Sequence, residues 1–219
     1  MQQARIAAVN RFERGGGNPK DYAPQVDILD EAEHKLGLAL VREYRKVVPE
    51  AVRDWQVETR GLGEHLLARL LGRIGHPVHT HKHHWEGEGQ GRTLIDDGPY
   101  VRRVSDLLSY CGHGDPKRRR RRGMSAEEGF ALGDPVAKSL THLLAESCVK
   151  QIGTETKAPS PFRLVYNDAR IRYHGKLHDE PCPPCGPPGR PAEVGSPWSA
   201  KHQHMASLRL TGKAILVEL

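Results

Sequence analysis

The sequence predicts a mostly α-helical protein with long loops between its helices. Apolar side chains recur at intervals of three and four residues along several stretches of the 219-residue chain, which is the period of an amphipathic helix. Strand signals are weak throughout, and Gly- and Pro-rich stretches separate the periodic ones. We therefore expect a helical domain with a helix-hairpin-helix-like element, long basic and His/Gly-rich loops, and a small Cys/His loop with ligands for zinc.

The first strong helix is predicted to begin at Val26. Residues 1–25 are rich in Gly, Pro and charged residues, which predicts a flexible lead-in. The helix that follows ends before Pro49, and its apolar face contains Leu29, Ala32, Leu36, Leu40, Tyr44 and Val47. A second helix is predicted between Gly61-Leu62-Gly63 and Gly75-His76-Pro77, and its apolar face contains Leu66, Leu67, Leu70, Leu71 and Ile74.

The central part of the chain is predicted to consist mainly of loops. Residues 78–92, VHTHKHHWEGEGQGR, are polar, rich in His and Gly, and without periodicity. The stretch VRRVSDLLSYCG predicts a short helical turn that ends at Gly112. A run of cations follows. Ser125 and Glu128 then have the spacing of a capping box, which predicts a brief helix.

Three further helices are predicted towards the C-terminus. Asp134-Pro135 is typical of an N-cap followed by the first helical residue, Ser160-Pro161 opens the next helix, and Ser199 caps the last. Their apolar positions include Val136, Leu140, Leu143, Leu144 and Cys148, then Phe162, Val165, Tyr166, Ala169 and Tyr173, then Met205, Leu208 and Ile215. The helical domain should span residues 26–175, a Pro/Gly-rich insert residues 176–198, and residues 199–219 should form a helix that packs on the helical domain.

Charge and composition favour a negatively charged partner. The net charge is +6 and the pI is about 9.2, which indicates nucleic acid first and an acidic membrane surface second. The sequence contains no apolar run near the length of about 20 residues that crosses a bilayer, and its first residues lack the apolar centre of a signal peptide. We expect a cytoplasmic protein, in which the four cysteines would be metal ligands or free thiols.

The strongest signal for nucleic acid is a run of six adjacent cations, Lys117, Arg118, Arg119, Arg120, Arg121 and Arg122. Such a run repels itself unless counter-charge is present, and arginine forks suit phosphate oxygens. No apolar face adjoins the run, so membrane binding is not expected. The alternative is a solvated loop without a partner.

Gly61 and Gly63 are the second candidate contact with nucleic acid. Glycines between two helices permit a tight turn and allow backbone N–H groups to approach a phosphate at a helix N-terminus. The alternative is an ordinary turn between helices.

Cys182-Pro-Pro-Cys185 has the spacing of a zinc knuckle. His174 and His178 precede it, and His202 and His204 follow it. Cys182, Cys185, His178 and His202 could close a tetrahedral Cys2His2 site, and the alternative is a pair of surface thiols in a flexible loop.

The histidines of the central loop are a further candidate for transition-metal binding or for charge near phosphate, but a solvated polar loop is the favoured interpretation. They are His76, His79, His81, His83 and His84. Cys111 and Cys148 lie on predicted helical faces and are expected to be buried.

The order of these segments resembles the C-terminal half of bacterial insertion-sequence transposases of the IS-one-ten type and of the related site-specific invertases. The segments are GLGEHLLARLLGRIG, VSDLLSYCG, the basic interval, LGDPVAKSLTHLLAESCVK, SPFRLVYNDARIRY and LTGKAILVEL, within residues 27–219. By this resemblance Gly61 and Gly63 match the hairpin glycines, and Leu107, Tyr110 and Gly112 match the segment before the basic interval. Gly133 matches a later turn glycine, and Asp134 stands where the family usually has Asn.

The resemblance implies a nucleic-acid-binding and strand-exchange module that forms one half of a composite active site. Members of the family also carry an N-terminal resolvase-like domain with four acidic metal ligands, which the stretch before Asp27 is too short to hold. The family places a nucleophilic serine in the basic interval, and Ser125 is the candidate here. Its capping-box spacing predicts a structural role instead, so we expect no complete recombinase chemistry from this chain alone.

Three hypotheses follow. The first is a DNA-binding protein, with RNA as an alternative ligand, related to transposases. The second is the active half of a serine recombinase that works with a separately encoded acidic catalytic domain; the protein partner we expect is that domain or a second copy of this chain. The third is a zinc-stabilised protein-interaction scaffold.

Overall fold

Helices dominate the computed structural model, which describes residues 2–16, 18–87, 93–115, 123–125, 128–129, 131–187 and 189–219. These residues form eight α-helices and one antiparallel two-stranded sheet, which confirms the mostly α-helical fold class. The helices are α1 (Gln2–Arg14), α2 (Pro19–Val47), α3 (Glu50–Glu58), α4 (Glu64–Ile74), α5 (Val104–Tyr110), α6 (Pro135–Val149), α7 (Pro161–Tyr173) and α8 (Ala200–Glu218). The strands are β1 (His79–Glu86) and β2 (Thr93–Val101). No helix in the described ranges is long and apolar enough to cross a bilayer.

The chain divides into two compact units, Met1–Arg53 and Asp54–Leu219. In the first unit α1 packs against α2. The sequence predicts a flexible lead-in over residues 1–25, but the structure has α1 and the beginning of α2 there. The Gln, Ala and Arg residues of α1 are favourable helix formers, and α1 ends where the glycines at 15–17 begin.

The apolar face predicted for α2 is only partly buried. Leu36 is 56% exposed and Val47 is 73% exposed, although both belong to the apolar face that the sequence predicts for this helix. Helical periodicity identifies which residues share a face, but it does not determine how far along the helix that face is covered.

The second unit has its core between α6, α7 and α8. α8 packs against both α6 and α7, and α4 lies on α6. The fully buried side chains include Leu67, Leu70, Leu144, Phe162, Leu208, Ile215 and Leu216. Burial of each such side chain contributes about 1.5–3 kcal/mol. This packing fixes the helices from which the loops of the second unit extend.

The predicted helix starts of α6 and α8 are present in the structure. The Asp134 carboxylate accepts hydrogen bonds from the backbone N–H groups of Val136 at 2.9 Å and Ala137 at 2.8 Å. The Ser199 hydroxyl accepts one from His202 N at 3.2 Å. These side chains satisfy N–H groups that a helix leaves without partners at its N-terminus.

The predicted His-rich loop instead contributes β1, which pairs antiparallel with β2 in a β-hairpin, and residues 88–92 of that loop lie outside the described part of the chain. Exposed side chains pair across it: His81 Nδ1 lies 2.7 Å from Asp96 Oδ2, and His84 Nδ1 lies 2.7 Å from Asp97 Oδ1. Backbone hydrogen bonds and polar side-chain pairs hold this hairpin. Its strands do not show the alternation of apolar and polar residues from which a strand is usually predicted, and the sequence therefore does not reveal them.

Gly61 is required by close packing between the loop before α4 and the C-terminal end of α6. Its φ is +97°, and an added Cβ would lie 2.5 Å from Cys148 Cα and 2.8 Å from Cys148 N. Gly63 has open space around it at the same range. The structure therefore gives Gly61 a packing role and leaves Gly63 at an exposed helix start.

We expect Gly61→Ala to lower the free energy of unfolding by about 2 kcal/mol or more, because it adds both backbone strain and a backbone clash. Gly63→Ala is the matched control and should cost less than about 1 kcal/mol. Urea denaturation of the two variants measures both values. Equal stability of the two variants would contradict the packing role of Gly61.

Candidate functional site

Four potential metal ligands come together beside the N-terminal end of α8. One ligand atom from each of His178, Cys182, Cys185 and His202 lies within 4.8 Å of the others. His202 Nδ1 is 3.5 Å from Cys182 Sγ and 3.2 Å from Cys185 Sγ. Ligands at Zn–N and Zn–S bond lengths around a tetrahedral centre lie about 3.3 to 3.8 Å apart. This cluster could hold a metal ion.

Among the four residues of this His/Cys cluster, His178 has the least satisfied hydrogen-bonding capacity. It is 4% exposed, and its Nε2 atom has no hydrogen-bond partner among the residues that the structure describes. A buried polar atom without a partner costs about 1–3 kcal/mol. A metal ion within the cluster would bind this nitrogen and remove that cost.

Backbone pairing in the loop before α8 positions the first two ligands. His178 N donates to Ser196 O at 2.9 Å, and Gly195 N donates to His178 O at 2.8 Å. Cys182 and Ala192 exchange two backbone hydrogen bonds, each 2.9 Å long. The loop is therefore held by short β-like pairings, although it contains few buried apolar side chains.

A tight knuckle brings Cys185 next to Cys182. The segment Pro183–Cys185 forms a single 3-10 turn, and Gly186 follows it. A Cβ at Gly186 would lie 1.9 Å from Arg190 O, so only glycine permits the chain to return at this point. The Cys-Pro-Pro-Cys-Gly sequence thus builds the turn as well as supplying its thiols.

The fourth ligand belongs to α8 and is oriented by an aromatic ring. The indole of Trp198 stacks on the imidazole of His202, with ring centroids 3.9 Å apart and planes 6° apart. Tyr173 stacks on Trp198 at 5.2 Å, and the Lys176 ammonium lies 4.7 Å from the Trp198 ring centroid. This stack restricts the orientation of His202.

Hydrogen bonding favours the thiolate form of Cys185. Partial burial opposes its ionisation, but hydrogen bonds from the Ser199 hydroxyl and backbone and from Cys182 outweigh that effect and lower the pKa of Cys185. The Ser199 Oγ atom lies 3.1 Å from Cys185 Sγ. A thiolate is the form that binds metal.

The second unit also contains a close contact between residues 109–114, at the end of α5, and residues 133–138, at the start of α6. We call this contact the neck. Asp134 N donates to Tyr110 O at 2.6 Å, which joins the end of α5 to the start of α6. Gly133 has φ +83°, and a Cβ there would lie 2.3 Å from Ser109 O. The predicted basic run lies outside the described residues, and in the sequence it falls between Gly114 and Gly133; its members are Lys117, Arg118, Arg119, Arg120, Arg121 and Arg122.

Basic residues that the sequence did not identify lie at the neck. Arg209 donates to Gly114 O at 2.9 Å, and a Cβ at Gly112 would lie 2.9 Å from Lys138 Cδ. Arg209 lies 95 positions from Gly114, so no local pattern could have revealed this juxtaposition. His113, between these two glycines, is 4% exposed.

Three other residues that the sequence analysis named, Ser125, Cys111 and Cys148, have structural roles. Ser125 and Glu128 form the predicted capping box: Glu128 N donates to Ser125 Oγ at 3.1 Å, and Ser125 N donates to Glu128 Oε2 at 2.8 Å. Cys111 and Cys148 are each 0% exposed, and burial raises the pKa of each thiol to about 11. These two cysteines are inert core residues.

Comparisons with protein-family models, with curated proteins and with solved structures found no match to this chain. The resemblance to insertion-sequence transposases therefore stays a prediction, and it depends on the order of segments in the sequence.

We expect the ion pair at the neck to contribute stability that depends on pH. Arg73 Nε donates to Asp134 Oδ2 at 2.9 Å. This bond, opposed by partial burial and aided by the backbone N–H groups of α6, lowers the pKa of Asp134 below 3.8. The stabilisation is therefore present at neutral pH and is lost as the pH falls through that lowered pKa.

Asp134→Asn keeps a helix cap but removes the charge, so it should reduce the unfolding free energy by roughly 1 kcal/mol at pH 7. Thermal denaturation of wild type and variant from pH 7 to pH 2 measures the difference, which should shrink below the ordinary carboxyl pKa of 3.8. A difference that stays constant over this range would exclude the charge as its cause.

Proposed function

We propose that this protein binds nucleic acid, with DNA as the first candidate and RNA as the second, through the run Lys117–Arg122. The closed neck is the observation that carries the proposal. The Asp134–Tyr110 hydrogen bond and the close approach of Gly133 to α5 join the two ends of the basic segment. The six cations are therefore tethered to the packed helices α5 and α6.

Such tethering favours a specific electrostatic role for the segment. Six adjacent like charges repel one another, so binding of polyanion phosphates relieves their repulsion and releases counterions from the polyanion. Arginine forks can each bind two phosphate oxygens. Contacts of this kind provide affinity and orientation with little reading of base sequence.

The resemblance of the sequence to transposases favours DNA as the ligand, because the basic run occupies the interval in which the resembled family performs its nucleic-acid chemistry. The recombinase hypothesis has less support, since the Ser125 hydroxyl is engaged in a capping box. We therefore favour a transposase-derived binding module that needs a separate domain for catalysis.

We further propose that the cluster of His178, Cys182, Cys185 and His202 binds a structural zinc ion. Two thiolates and two imidazoles are a common zinc ligand set, and four protein ligands leave no coordination position for a reacting water. His178 would bind through Nε2, its unpartnered atom, and His202 through Nδ1, which faces both sulfur atoms. Zinc would join the Pro-rich loop to α8.

A zinc-stabilised protein-interaction scaffold is the second candidate function. The observation that favours it is the metal cluster itself, whose fit does not depend on nucleic acid. The two candidates differ in whether purified protein binds a polyanion.

Fluorescence anisotropy with duplex, branched and single-stranded DNA and with structured RNA tests the first proposal. With about six phosphates engaged, log K should fall with log salt at a slope near −5. Replacement of Arg118–Arg122 by Ala should remove most of that slope, whereas replacement by Lys keeps the charge and should retain most of it. Wild-type protein that binds none of these ligands would leave the scaffold as the better candidate.

Metal analysis tests the zinc proposal, with about one zinc per chain expected. The Cys182→Ser/Cys185→Ser variant should contain none, and His174→Gln, at an exposed histidine outside the cluster, should retain it. Cobalt substitution should produce the absorption of a tetrahedral thiolate site and should quench Trp198, which stacks on His202. Equal metal content in the wild type and the double-cysteine variant would contradict the assignment.

A further inference from the structure

A buried histidine lies in the turn of residues 112–114, at the neck. His113 is 4% exposed, and neither ring nitrogen has a hydrogen-bond partner in the described part of the chain. A Cβ at Gly212 would lie 3.6 Å from His113 Cε1 and 3.7 Å from its Nε2, so this edge of the ring lies against α8. Buried polar atoms without partners are costly, so the packing of the turn against α8 has to hold this ring in place.

Cationic side chains from α6 and α8 converge on the same turn. The stem of Lys138 packs against Gly112, and the Arg209 guanidinium binds Gly114 O. Lys213 follows Arg209 by one helical turn on α8. Its own pKa is lowered by partial burial and by the charge of Arg209, which indicates that positive charge is concentrated here.

The pKa of the buried His113 reflects the same concentration of positive charge. Burial, and after it the positive charges of Arg209, Lys138, Lys213 and His142, together lower the pKa of His113 to about 4. The imidazole is therefore neutral at physiological pH and retains one N–H donor. An anion beside the turn would be attracted by these cations, and its charge would act on the nearby buried imidazole, which makes His113 a reporter of binding.

We propose that Lys138, Arg209 and Lys213, together with the turn of residues 112–114, form a phosphate-binding site. Its ligand is a backbone phosphate of the nucleic acid bound by Lys117–Arg122, because only two residues, Asp115 and Pro116, separate the turn from that run in the sequence. Arginine offers a fork to two phosphate oxygens and lysine a compact charge. This inference rests on the proposed nucleic-acid binding and adds a contact that is fixed by packed helices.

The test compares duplex affinity across several salt concentrations for wild type, Lys138→Gln, Lys213→Gln and the double variant. Glutamine keeps much of the aliphatic stem, and Arg209 is left in place because it anchors Gly114. The matched control is Lys150→Gln, an exposed lysine just beyond the other end of α6. Thermal denaturation followed by circular dichroism verifies that each variant is folded.

We expect the double variant to bind duplex roughly tenfold more weakly at physiological salt, with a salt slope shallower by about 2, and the control to match wild type. The expected slope change follows from the loss of two phosphate contacts. If wild type binds duplex and the folded double variant binds with the same affinity and slope, the site is wrong and the proposed function stands.

Imidazole signals of His113 in nuclear magnetic resonance spectra separate the two possible sources of phosphate. At saturating duplex these signals should shift in wild type and shift less in the double variant, and inorganic phosphate should shift them only at far higher concentration. If inorganic phosphate shifts them while duplex neither binds nor shifts them, the ligand is free phosphate and both the phosphodiester assignment and the proposed function fail. If neither ligand shifts them, no phosphate site exists at this turn.

Discussion

The close packing of α8 on α6 is the interaction on which both candidate sites depend. The buried face of α8 includes small and polar residues, Ser207, Thr211 and Gly212 among them, and a Cβ at Gly212 would lie 3.0 Å from Thr141 Cγ2. The hydroxyl of Thr211 donates to Ser207 O at 3.0 Å, so this face is buried without an unmet hydroxyl group. Because the two helices are so close, His202 near one end of α8 and Arg209 further along it are held at fixed positions relative to the loops that they contact.

Those loops are held mainly by backbone proximity. At the neck and at the cysteine knuckle, glycines stand where any larger residue would collide with a carbonyl oxygen, Ser109 O in one case and Arg190 O in the other. The loop before α8 buries little apolar surface, so hydrogen bonds and the proposed metal would have to supply its order. In the second unit, apolar packing therefore holds the helices, and the loops that carry the reactive side chains are held by backbone contacts.

The sequence predicts the local features of this fold well and its long-range features poorly. The caps at Asp134 and Ser199 and the capping box at Ser125 depend on neighbours within a few residues, so their spacing is readable. The four members of the metal cluster lie within 25 consecutive residues, from 178 to 202, and their chemistry is distinctive. The sequence does not indicate the hairpin, because polar pairs stabilise it. It does not indicate α1, because the adjacent glycines dominate the composition of residues 1–25. The cations at the neck come from helices distant in sequence, and Gly61 meets the end of α6 in a way that no turn signal indicates.

The position of α8 along the chain also constrains how the protein matures during synthesis. Leu208, Ile215 and Leu216 are among the most deeply buried residues of the second unit, yet they are translated after every other helix of that unit. Until they leave the ribosome, the apolar surfaces of α6 and α7 that α8 covers stay open to water and to other nascent chains. Such exposed intermediates are prone to aggregate. A chain interrupted before residue 208 would therefore have secondary structure but no closed core, and its exposed apolar surface would need a chaperone to keep it from aggregating.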